Sequence, residues 1–166
     1  MNTNSGDVVE LALQPNSQMV RPVNTRFNEY AAALSPDGHW LAYQSAESGR
    51  PEIYVRDMSD AAGRTPVSTD GGEEPRWAHD GRELFYRKQG SFMSVTCETS
   101  PAFHAGAPKE LFKGIFDLRS NSGVTYDIDP KSGRFLMIRP AQETSAATQM
   151  RMVLNWFEEL RRALPQ

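Results

Sequence analysis

The segment LSPDGHWLAYQS, beginning at Leu34, recurs twice further along the chain. An internal repeat of this kind limits the possible folds more than any other feature of a sequence. Its counterparts are RWAHDGRELFYRK, from Arg76, and DIDPKSGRFLMIR, from Asp127. Aligned on Gly38, Gly81 and Gly133, the third residue after glycine is Leu41, Leu84 and Leu136, and the fifth is Tyr43, Tyr86 and Ile138. Upstream of each turn stand Leu34, Trp77 and Ile128; this alignment gives the third turn one additional residue, Lys131. The glycines lie 43 and 52 residues apart. The first spacing fits a four-stranded blade of roughly 40–50 residues; the second implies a longer loop between Gly114 and Gly123.

Each copy continues in the same manner. A second apolar run follows, EIYVRD, FMSVTC and QMRMVLNW, in which Ile53 and Val55, Met93 and Val95, and Met152 and Leu154 alternate as in a half-covered strand. The first two copies then add RTPVST and PKELFK, each with a proline, which cannot donate to a ladder and suits an edge strand. In WLAYQS, Leu41 and Tyr43 face one way and Trp40 and Ala42 the other, so both faces are apolar; LFY and FLMI behave alike. An isolated antiparallel sheet would show one wet face. These strands therefore call for cover on both sides, which neighbouring blades of a β-propeller supply. Asp37-Gly38 and Asp80-Gly81 mark tight hairpins, where glycine takes a positive φ at little steric cost. A β-sandwich or barrel with similar hairpins is the alternative.

LSPDGHWLAYQSAESGRPEIYVRDM resembles a TolB-type WD40-like repeat of pattern SPDG-x-x-(I/L)-A-(F/Y)-x-S. GGEEPRWAHDGRELFYRK, FHAGAPKELF, YDIDPKSGRFLMI and MVLNWFEELRR, in that order, are similar to the C-terminal end of TolB-like propellers. Propellers of that kind are fused behind bacterial serine/threonine protein kinases or winged-helix regulators. The resemblance implies an all-β fold, a partial β-propeller of four-stranded antiparallel blades, and a sensory or protein-binding role. In that pattern the third copy departs by having Ser132 where aspartate is usual. The expected divisions are a half blade over 7–23, blades over 27–69 and 72–112, an incomplete last blade over 124–155, and a short C-terminal helix over 155–163. That helix would be capped by Asn155, with Glu158 and Glu159 early and Arg161 and Arg162 late.

Known propellers have typically four to eight blades, so this count does not close a ring. Two copies closing a six-bladed ring, or a segment of a longer polypeptide, would both resolve it. The expected partner is accordingly another protein or a second copy in a homodimer. Composition agrees with a water-facing globular chain: 39% hydrophobic and 23% charged, with a net charge of -3 from 18 basic and 21 acidic residues. There is no basic stripe to favour nucleic acid. No apolar run approaches the roughly 20 residues of a membrane span, and MNTNSGDVV lacks signal-peptide regions. Either the cytoplasm or the periplasm of a bacterium fits.

The catalytic motifs of related architectures do not occur: there is no H-R-D or D-F-G series and no G-x-S-x-G elbow. A non-catalytic binding, scaffolding or sensory module without cofactors is expected. A propeller-type hydrolase or lyase, or an accessory domain of a peptidase, is the alternative. The single cysteine, Cys97, falls on a strand position, and His39, His79 and His104 have no metal-ligand spacing. Asp127, Asp129 and Ser132 faintly resemble a calcium loop, but Ile138 stands where the bidentate glutamate would; no metal is expected. Glu73-Glu74 lies in a connection between blades, where such segments crowd one mouth of the channel. On that reasoning the candidate ligand-binding rim is Arg26, Asn28, Glu73, Glu74, Arg119 and Asn121.

Overall fold

The computed structural model describes residues 6–59, 63–116 and 124–138. The expected C-terminal helix and the end of the last blade lie outside these residues. The first sheet runs β1 (Glu29–Leu34), β2 (Trp40–Ser45), β3 (Glu52–Asp57) and β4 (Thr65–Pro66), paired antiparallel in chain order. The second repeats the order with β5 (Glu73–Trp77), β6 (Glu83–Lys88) and β7 (Ser91–Glu98). Its outer strand is split: β8 (His104–Ala105) and β9 (Lys109–Lys113) both pair with β7, on either side of Pro108. A third antiparallel pair, β10 (Tyr126–Ile128) and β11 (Phe135–Met137), begins another sheet. Ahead of β1 the two arms of residues 6–23 meet at one bridge, Glu10 with Val20.

The sheets stack face to face, so the middle strands are covered twice. One layer joins Ala42, Ile53, Val55 and Val67 of the first sheet to Trp77, Leu84, Tyr86, Val95 and Cys97 of the second. On the opposite face of the first sheet Leu41, Tyr43 and Tyr54 pack with Val23 from the N-terminal arm. Tyr43 and Tyr86 are each only 2% exposed; a fully buried side chain of this size contributes about 2–3 kcal/mol. The third layer is aromatic. Phe92 lies 4.8 Å from Phe112, 5.0 Å from Tyr126 and 5.8 Å from Phe135, which also meets Phe85 at 5.1 Å. β3 departs from the expected half-covered strand, because Tyr54 is buried on the face opposite Ile53 and Val55 and Arg64 stacks 5.8 Å over its ring.

The third repeat needs a correction of one residue. Leu34 pairs with Leu41, Trp77 with Leu84 and Ile128 with Phe135, seven positions apart each time. The turn-closing bonds agree: Ser35 donates to Trp40, Ala78 to Glu83 and Asp129 to Arg134. The third turn therefore has no additional residue. Its glycine has moved: Gly38 and Gly81 donate back three residues, while Gly133 donates back four, to Asp129. All three glycines keep a positive φ, 74°, 72° and 67°. Lys131 rather than Ser132 stands at the position of Asp37 and Asp80, and Asp129 takes over their task by accepting from the Lys131 amide at 3.0 Å. Phe135 and Met137 are thus the counterparts of Leu41 and Tyr43. A slip of one residue exchanges the faces of a strand, and Leu136 and Ile138 are 73% and 62% exposed.

Candidate functional site

β1 and β5 carry the same β-bulge, between Tyr30 and Ala33 in one and between Glu73 and Arg76 in the other. At equivalent positions 43 residues apart, Ala31 and Glu74 take positive φ values of 50° and 54°. Such backbone is uncommon outside glycine and bulges commonly re-aim a side chain. Here it turns Glu74 inward. Its side chain is 4% exposed and that of Arg87, opposite on β6, is 3%. Arg87 donates through Nη2 to Glu74 at 2.5 Å and to Glu73 at 3.1 Å. The other Glu74 oxygen accepts from the Thr125 amide and hydroxyl, both at 2.8 Å. Tyr126 donates its hydroxyl to the Glu74 carbonyl at 2.8 Å, and the Glu74 amide donates to Gln44 on β2 at 3.3 Å.

One residue therefore ties three successive sheets. Burial alone would raise the Glu74 carboxyl, but the Arg87 hydrogen bond, the two Thr125 donors and the Arg87 charge together hold it below the ordinary 4.5. It stays ionised near neutrality, as an inter-blade latch rather than a proton carrier.

Of the expected rim, Glu73 and Glu74 are brought together on Arg87. Arg26 is exposed and sits 5.1 Å over the Phe27 ring. Asn28 accepts from the Gly6 amide at 3.1 Å and so anchors the N-terminal arm. Arg119 and Asn121 lie outside the described residues. Sequence reasoning missed Arg87 and Gln44, although both are the sixth residue after the repeat glycine and both are polar at the end of an apolar strand.

Beside the latch is a small open cleft of about 160 Å³, lined by Arg50, Asp70, Glu73, Arg87 and Lys88. Asp70 accepts from Lys88 at 2.7 Å and from Arg50 at 3.2 Å. Arg50 also reaches Glu52 at 2.9 Å, and the Thr69 carbonyl at 2.8 Å. Toward the other end of the inner strands a wider hollow of about 430 Å³ is lined by Leu34, Arg76, Trp77, His79 and Ile128. Trp77 closes one wall by donating its indole N–H to the Ala33 carbonyl at 3.1 Å.

The residues with reactive potential are placed quietly. Cys97 is buried on β7, and burial pushes its thiol up to about 12. The three histidines are exposed, and among the described residues no group of three or more histidine, cysteine, aspartate or glutamate side chains could hold a metal. Asp127 lies on β10, and Asp129 and Ser132 sit in the hairpin turn described above. No helix among the described residues is long and apolar enough to cross a membrane.

Four-stranded antiparallel meanders, stacked face to face and carrying the same bulge in their first strands, define a segment of a β-propeller. No family model and no curated protein matches the chain. Among solved structures it is similar to the oligogalacturonate lyase of Vibrio parahaemolyticus (TM-score 0.47, 16% identity, 66% of this chain and 30% of that one). It is similar also to TolB of Acinetobacter baumannii (TM-score 0.47, 21% identity, 72% of this chain and 34% of that one). These alignments span about a third of each of those proteins.

Proposed function

We propose that this chain is a non-catalytic protein-binding or scaffolding module, a propeller segment whose ring is completed by a second copy or by further blades of a longer polypeptide. The observation that supports this reading is apolar surface on both flanks of the stacked sheets. Val9, Leu11, Leu13, Met19 and Val20 stand exposed on the N-terminal arm, and Leu136 and Ile138 on the third pair. Apolar surface concentrated in this way marks association sites. Glu74, a buried carboxylate beside the charged cleft, is committed to holding blades together, which favours binding over acid–base chemistry there.

Light scattering on the chain tests the reading. A mass that rises with concentration above 18.6 kDa, and returns to it in Leu11→Asp combined with Val20→Asp, is the expected result. A constant 18.6 kDa, with the double variant no more soluble than the parent, would refute ring closure by a second copy.

A further inference from the structure

The N-terminal arm closes over a buried acid and is held there by few contacts. Its two halves meet at the bridge of Glu10 with Val20, and Val9, Leu11, Leu13, Met19 and Val20 face water. It is tied to the first sheet by the Glu29 amide, which donates to the Gly6 carbonyl at 2.9 Å, and by the Gly6 amide, which donates to Asn28 at 3.1 Å. Val8 and Val23 add apolar contact with the layer of Leu41, Tyr43 and Tyr54. Between these anchors lies Glu29, the first residue of β1, 3% exposed. One of its carboxyl oxygens accepts from the Thr25 hydroxyl; the other is buried and has no partner. The charges that act on it are Asp7 on the arm itself, Glu47 in the β2–β3 turn and Arg64 ahead of β4. The nearby cations are engaged elsewhere: Arg64 is bound to Glu47, Arg21 to Asp7 at 3.7 Å, and Arg26 is turned onto the Phe27 ring. Two neighbouring carboxylates and no cation of its own make this a poor place for a further negative charge, which burial already penalises.

We propose that the N-terminal arm is a pH-sensitive strap: it stays closed on the first sheet while Glu29 is neutral, and its Gly6–Val8 end lifts when Glu29 is ionised against Asp7 and Glu47. Closing takes up a proton. Burial holds the docked carboxyl above the ordinary 4.5, and a lifted arm lets water return it to that value. The docked arm is therefore firmest below pH 4.5 and loosens as pH rises through the raised value. Lifting uncovers the Val8 side of Leu41, Tyr43 and Tyr54, so the same proton controls how much of that apolar face is open. The device is built within one chain and goes beyond the binding-module reading without depending on it.

Native-state amide hydrogen exchange on the full chain reads the strap directly, as protection factors corrected for the intrinsic pH dependence of exchange. The Gly6 and Glu29 amides report the anchors. The Cys97 amide, bonded to the Arg82 carbonyl at 2.7 Å in the second sheet, reports wider opening. From pH 4 to pH 7, protection at Gly6 and Glu29 is expected to fall at least about threefold relative to Cys97. Glu29→Gln should hold it at the acid level throughout. Asp7→Asn, which keeps Glu29 and both anchors, should raise protection at pH 7 and leave it unchanged at pH 4, and it carries the test should the glutamine variant not fold. Protection at the anchors that is constant or rises with pH, that falls in step with Cys97, or that keeps the parental pH dependence in the folded variants would overturn the strap. The binding-module reading fails on the mass measurement instead, so the two failures are separable.

Discussion

Glu74→Gln is the substitution that bears most directly on how the blades are held. It leaves the shape of the side chain and removes its charge. Arg87, 3% exposed, then keeps only Glu73 at 3.1 Å, whose side chain is 44% exposed. Removing one partner of a buried ion pair costs about 3–5 kcal/mol, because the other charge stays desolvated. The surviving Glu73 puts this case at the lower end, about 3 kcal/mol. In a chain of this size that corresponds to a fall in Tm of roughly 6–12 °C. Urea titration followed by tryptophan emission reads it, since Trp40 and Trp77 lie at the interface of the first two blades, 5.4 and 6.1 Å from Phe103. Glu73→Gln is the control and should cost under about 1 kcal/mol, as for other exposed pairs. The native Glu74 carboxyl is held below 4.5, so its contribution is complete above that pH and is lost as pH falls through the lower native value. The gap between parent and Glu74→Gln should therefore narrow in acid. Equal losses for the two glutamines, or a gap that widens in acid, would refute the latch.

Glu29→Gln should act in the opposite sense: burial raises this carboxyl, helped by Asp7 and Glu47, and one of its oxygens has no partner. Its contribution to stability is lost as pH rises from 4.5 through the raised value, so the glutamine variant should be more stable by about 1 kcal/mol at pH 7 and equal to the parent near pH 4 in thermal melts. Phe135→Ser should cost about 3 kcal/mol by emptying the aromatic layer, whereas Leu136→Ser should stay within about 0.5 kcal/mol; the reverse order in urea titrations would restore the glycine-based register. Cys97, buried with its thiol pushed up to about 12, should resist a thiol-directed disulfide reagent at pH 8 until urea unfolds the chain, and rapid native labelling would contradict its placement.

The blade repeat was legible because two local signals coincide: an Asp-Gly turn that needs positive φ at Gly38 and Gly81, and strands apolar on both faces. The third copy was misread by one position because glycine does not fix the length of a turn. Asp129 lets the turn close on a four-residue return, with Gly133 shifted by one. Strand pairing, which is set by Ile128 and Phe135 meeting across the ladder, decides the register instead. At the candidate site, Glu73-Glu74 was singled out from its place in a connection, but the inward aim of Glu74 comes from a bulge, which leaves no trace in a pattern of apolar and polar residues. Arg87, at the polar end of LFYRK, was not singled out for the same reason. Arg26 and Asn28 were grouped with the glutamates by position in the repeat, yet their contacts are with Phe27 and Gly6.

The stacking itself is most directly tested by side-chain NOEs from the first sheet in solution. Cross-peaks are expected from Ile53 and Val55 to Leu84 and Tyr86 on one side, and from Leu41 and Tyr43 to Val23 on the other. Contacts confined to a single side, with Leu41 and Tyr43 open to water, would contradict a propeller and every role assigned to its inner strands.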